Sequence, residues 1–131
     1  FIENKKNDNS IYTCMRLLPE CITYNRDTSE TRIDNGYRRV VPYMESIQGG
    51  DVTKQAIRIR ELYEDFSADY IVLDMRNAGI AVYDLLANVM YDEERGIEYS
   101  PLTCMNDDNI ANRIRLEGSN PCIFVVNAVQ I

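Results

Sequence analysis

The chain has 131 residues, and at ~150 residues per domain that length makes about one domain. Apolar residues at 45% and charged residues at 27% match a globular average, and no apolar run approaches the ~20 residues that span a bilayer, so neither disorder nor a membrane-spanning helix is expected. Fourteen Lys and Arg against 21 Asp and Glu leave a net charge of −7. That opposes a general nucleic-acid-coating role, which needs positive charge to release counterions, and leaves room for carboxylates that recruit cations.

The absence of histidine removes Ser-His-Asp and Cys-His nucleophile pairs and every His-containing zinc site. Acid-base or metal chemistry therefore falls to carboxylates, Lys or Tyr. Cys14, Cys21, Cys104 and Cys122 show no CxxC spacing and read as free thiols in a reducing compartment rather than a zinc knuckle. The chain opens on Phe1 rather than Met and reads as a piece of a longer protein.

Residues 11–18 form an apolar-leaning run that suits a strand ended by Pro19. Residues 20–36 are dense in Asn, Asp, Ser and Thr and close on Asn35-Gly36, which predicts a hairpin connection leading to a second strand over 37–47. Pro42 cannot donate to a ladder, so it marks a sheet edge or a bulge there. After the Gly49-Gly50 break, Asp51 offers an N-cap for a helix over 51–66. Val52, Ala56, Ile59, Tyr63 and Phe66 fall on one face of it. Arg60 and Glu64 form an i,i+4 pair expected on a solvated face.

Residues 70–74, YIVLD, read as a strand buried on both faces in the middle of a sheet. A second helix is predicted over 80–91, a short strand over 100–105, a short helix over 109–116 and a buried strand over 123–126. The expected core comprises Ile59, Ile71, Val72, Leu73, Leu86, Phe124 and Val125. Helices alternating with apolar strands make the fold class α/β.

In an open α/β sheet, ligands sit outside the carboxyl ends of the strands, where Asp74 is placed. A carboxylate there is costly unless paired, hydrogen-bonded or bound to a cation. It reads as a ligand for Mg²⁺ or Mn²⁺, which take oxygen donors, or equally as a cap on the turn over 76–79. Asp107-Asp108 suits a helix cap, Asp92-Glu93-Glu94 a solvated turn, and Asp84 the surface. Lys5-Lys6, Arg38-Arg39 and Arg113/Arg115 are too short to make a DNA-binding patch.

The segments DNSIYTCMRLLP, RRVVPYMESIQGGD, YIVLDMRNAGIAVYDLL and LTCMNDDNIANRIR, in this order, resemble the carboxyl-terminal nuclease domain of terminase large subunits of tailed phages or their prophage copies. The resemblance spans essentially the whole chain and is most specific around Asp74, Gly79 and VYDLL. It implies a single partial nuclease domain over 1–131 with a ribonuclease-H-like mixed sheet flanked by helices, lacking the family's opening strand and terminal helix. It further implies a divalent-metal-dependent endodeoxyribonuclease that cuts concatemeric double-stranded DNA during packaging and holds two Mg²⁺ or Mn²⁺ ions.

Asp74 then corresponds to the catalytic, metal-ligating acid at the end of the central strand. The acids of the opening strand and of the segment after the NAVQI-like strand end fall outside the chain, so the chain alone is expected to be inactive. Glu3 and Asp8 follow no strand pattern that would let them substitute. The implied partners are the portal protein, the small terminase subunit and an ATPase domain of the parent, with no membrane, in the host cytoplasm within the viral assembly machinery. No GxxxxGK[ST] loop occurs in these residues. The alternative is a non-enzymatic α/β protein-interaction module in which Asp74 only caps its turn.

Overall fold

A computed structural model describes residues 9–19, 21–34 and 38–127. Glu3, Asp8, Lys5-Lys6 and Asn35-Gly36 lie outside the described residues. The fold is mixed α/β, and its contacts divide the chain into two units, Phe1–Gln48 and Gly49–Ile131.

In the first unit, β1 (Asn9–Leu18) stops before Pro19 and pairs antiparallel with β4 (Arg38–Gln48). The ladder slips between Cys14 and Arg16, whose partners are Tyr43 and Val40, so Met15 faces both Val41 and Pro42. A bulge at this point follows from the missing N–H of Pro42, as expected. The connection between these strands is itself structured. It forms a second antiparallel pair of β2 (Cys21–Asn25) and β3 (Glu30–Asp34), closed by a turn in which Ser29 takes φ 57°. Thr23 and Thr31 hold ladder positions within the segment read from sequence as a hairpin connection.

The second unit starts at α1 (Val52–Asp65), where the Asp51 carboxylate accepts the Lys54 N–H at 2.8 Å as the expected N-cap. β5 (Ile71–Asp74) follows, then α2 (Gly79–Leu86). β6 (Met90–Asp92) and β7 (Ile97–Tyr99) form an antiparallel hairpin. The second helix thus ends five residues earlier than its periodicity predicted. Asp92 and Gly96 decide this: the Asp92 carboxylate accepts the Arg95 N–H at 3.2 Å, its carbonyl accepts the Gly96 N–H at 2.7 Å, and Gly96 takes φ 65°.

β8 (Leu102–Cys104), the single-turn α3 (Asp108–Ala111) and β9 (Asn120–Val126) complete the unit. The parallel sheet has the order β5-β9-β8, so β9 is its middle strand and β5 an edge. This corrects the central placement of residues 70–74. Burial alternates along β5: Ile71 and Leu73 pack on the core, whereas Val72, expected inside, is 68% exposed. Val72 pairs with Phe124 on the opposite face of the sheet, which the helices leave uncovered. The core itself gathers Ala56, Val82, Tyr83, Leu86, Leu102, Ile123 and Val125 between the helices and one face of the sheet. At roughly 1.5–3 kcal/mol for each large side chain fully buried, this layer supplies the main driving force of the unit.

Candidate functional site at the carboxyl ends of the parallel strands

The three parallel strands end on the same side. Asp74 closes β5, Val126 lies opposite it on β9, and the chain beyond Asp74 stays paired through the Met75 N–H to the Val126 carbonyl at 2.8 Å. The turn over 76–78 then folds back sharply, with Asn77 at φ 57°, and α2 begins at Gly79. A Cβ on Gly79 would collide with the Asp74 carbonyl oxygen and stand 3.1 Å from its carbonyl carbon. Only glycine permits this return of the helix onto the strand end.

The Asp74 side chain is about 40% exposed and engages Arg76 from two directions. Its Oδ1 accepts the Arg76 backbone N–H at 3.0 Å, and the guanidinium donates through Nε at 3.1 Å and Nη2 at 2.9 Å to Oδ2. The carboxylate beside it raises the Arg76 pKa above the ordinary arginine value. Asp74 therefore caps its turn and carries a forked ion pair, a geometry that holds the carboxylate in a fixed orientation.

On the far side of β9, Asn106 behaves as a strand residue through its side chain. Its Nδ2 donates to the Val125 carbonyl and its Oδ1 accepts the Val125 N–H, both at 2.9 Å. The Cys104 thiol also donates to Oδ1, at 3.3 Å. With strands ~4.8 Å apart, Asp74 and Asn106 flank the end of β9 across roughly 10 Å. Asn127 follows β9 between them and is exposed.

The other acidic candidates are not brought to this edge as ligands. Asp107 caps α3 by accepting the Ile110 N–H at 3.2 Å, as expected. Asp84 accepts both Nε and Nη2 of Arg113, at 3.0 and 2.8 Å, and that guanidinium sets its pKa below the usual carboxylate range. Arg115 donates to Asn112 at 3.0 Å. Among the described residues no three Asp, Glu, Cys or His side chains converge where they would hold a metal ion. A two-cation site needs several shared carboxylates. Asp74 with its guanidinium partner does not fit one by itself.

A second polar cluster lies where β6 and β7 meet α1, and the sequence reading assigned its Arg60–Glu64 pair and Asp92 to solvent. Arg60 is 3% exposed, its guanidinium stacked 5.2 Å from the Tyr63 ring centre and 5.1 Å from that of Tyr99, with Nη2 on Glu64 at 3.0 Å. The i,i+4 pair forms, but Glu64 is its exposed member while the hairpin covers Arg60. Asp92, also 3% exposed, accepts the Tyr99 hydroxyl at 2.9 Å. Burial, then Asp92, pushes the Tyr99 pKa up to about 12, and burial, then Cys122, pushes Tyr63 up to about 12. Burial likewise raises the Cys122 thiol, so both tyrosines and this cysteine stay protonated at neutral pH. The available signal was the Asp-x-x-x-Gly spacing of a hairpin turn between MYD and IEY.

No family model, curated protein or solved structure matches the chain.

Proposed function

We propose that the chain is part of a ribonuclease-H-like endonuclease domain of the terminase large-subunit kind, acting on double-stranded DNA with Asp74 as one carboxylate of its Mg²⁺ or Mn²⁺ site. The observation that carries this reading is the position of Asp74 at the carboxyl end of a parallel strand, immediately before a glycine-dependent turn into a helix. The order of an antiparallel ladder, a helix, a parallel strand and a second helix supports it. The described residues contribute a single carboxylate, so the reading assigns the remaining ligands to flanking segments and no cleavage step to this chain alone. The portal protein, the small terminase subunit and an ATPase domain enter as partners, and the host cytoplasm as location, through the same resemblance.

A second reading, a non-enzymatic α/β interaction module, draws on the Arg76 N–H bonded to Asp74 at 3.0 Å, which suffices to explain the carboxylate as a turn cap. Plasmid cleavage separates the two. Protein from the full reading frame is expected to nick supercoiled DNA in Mn²⁺, and Asp74→Asn, with its circular dichroism unchanged, is expected to abolish nicking. Cleavage at the parent rate by that variant removes Asp74 from the site, and a parent protein that never cuts supports the module.

A further inference from the structure

Arg76 is fixed through its backbone and free in its side chain. Its N–H donates to Asp74 Oδ1 at 3.0 Å and its carbonyl accepts the Gly79 N–H at 3.1 Å, so both main-chain groups are tied into the turn. The turn is held in its own place, because Met75 stays paired to Val126 and Gly79 packs against the Asp74 carbonyl. The Arg76 side chain, in contrast, is 49% exposed and folds back over two residues to reach the carboxylate. Its guanidinium meets Oδ2 through Nε at 3.1 Å and Nη2 at 2.9 Å, and Nε also lies 3.3 Å from Oδ1. A divalent cation takes oxygen donors at ~2.0–2.6 Å and would need the same lone pairs. At the acid assigned to a metal, the chain itself supplies the positive charge.

We propose that Arg76 is the resident counter-cation of Asp74, a gate that keeps the carboxylate closed to divalent cations until its guanidinium is displaced. The proposal rests on the reading of Asp74 as a metal-site carboxylate and adds how that site is regulated. The backbone bond from the Arg76 N–H to Oδ1 does not depend on the side chain, so the carboxylate keeps its orientation while Oδ2 changes partner. The Asp74 and Arg76 side chains are 40% and 49% exposed, and exposed pairs are weak, so the gate lowers cation affinity by about fivefold at most. A single carboxylate offers a divalent cation few of the oxygen donors it needs, which leaves the guanidinium in place in this chain. Carboxylates from flanking segments would shift the balance to the ion, so the gate couples cation entry to completion of the site.

Titration of the isotope-labelled chain with Mg²⁺ in large excess, followed by NMR, tests this. Without the ion, the Arg76 Nε–H resonance is expected at a hydrogen-bonded position that Asp74→Ala abolishes. Mg²⁺ is expected to move that resonance toward its unbonded position in step with the Asp74 carboxyl carbon. Arg76→Gln removes the guanidinium and is expected to bind Mg²⁺ at Asp74 up to about fivefold more tightly. Arg113→Gln removes the same charge beside Asp84 and is expected to leave the affinity at Asp74 unchanged, which separates a local gate from an effect of net charge. Equal affinity in Arg76→Gln and the unsubstituted chain overturns the proposal and leaves Asp74 a ligand, as does an equal gain in Arg113→Gln or a bound ion that leaves the Nε–H in place. No response of Asp74 to Mg²⁺ in any of these proteins overturns the metal reading itself, and the proposal with it.

Discussion

Gly79 sits against the backbone of Asp74 so closely that a Cβ there would overlap the Asp74 carbonyl oxygen. The obstacle is main chain at the end of a paired strand, which cannot swing aside as a flexible side chain would. Gly79→Ala is therefore expected to cost about 1–3 kcal/mol, the usual range for a steric insertion, by urea unfolding. The Asp74 and Met75 amide resonances should shift most.

Arg76 competes for the carboxylate that a cation would use. Removing it with Arg76→Ala is expected to increase Mn²⁺-induced paramagnetic broadening around Asp74, where the unsubstituted chain is expected to show only weak broadening. Asp74→Asn should abolish the effect. Equal broadening in all three proteins would show that Asp74 is no ligand.

Tyr83 is fully buried, and its hydroxyl accepts the Cys104 N–H at 3.0 Å and lies 3.4 Å from the Thr103 hydroxyl. Tyr83→Phe leaves that buried N–H without its partner, for a loss of roughly 1–3 kcal/mol in chemical denaturation. The exchange of the Cys104 amide should accelerate by a similar free energy.

Asn106 closes the end of β9 by its paired bonds to Val125. Asn106→Ala exposes both backbone groups of Val125, and a destabilisation of about 1–3 kcal/mol is expected. Loss of protection at the Val125 amide, with Ile71 protection retained, would locate the effect at the strand end.

Asp84 and Arg113 tie α2 to the segment after α3. Because Arg113 lowers the Asp84 pKa, the pair stabilises the fold above the unfolded carboxylate value of ~3.9 and ceases to do so as pH falls through the folded value. The pair is partly exposed, so Asp84→Asn should cost no more than about 1 kcal/mol at pH 7 and progressively less as the pH is lowered, measured by urea titration at each pH.

Local chemistry made several features legible in the sequence. Pro42 marked the bulge, Asp51 and Asp107 marked helix starts, and the run YIVLD at 70–74 marked a strand ending in a carboxylate, because each depends on neighbours within a few residues. The same reasoning placed Val72 in the core and Arg60 and Asp92 in water, and all three placements depend on what packs from far along the chain. Strand order made β5 an edge and turned Val72 outward. The β6–β7 hairpin brought Tyr99 over Arg60 and set its hydroxyl on Asp92, so that groups polar by sequence became buried by assembly. Residue type determines which bonds a group needs, and tertiary structure decides whether water or protein supplies them.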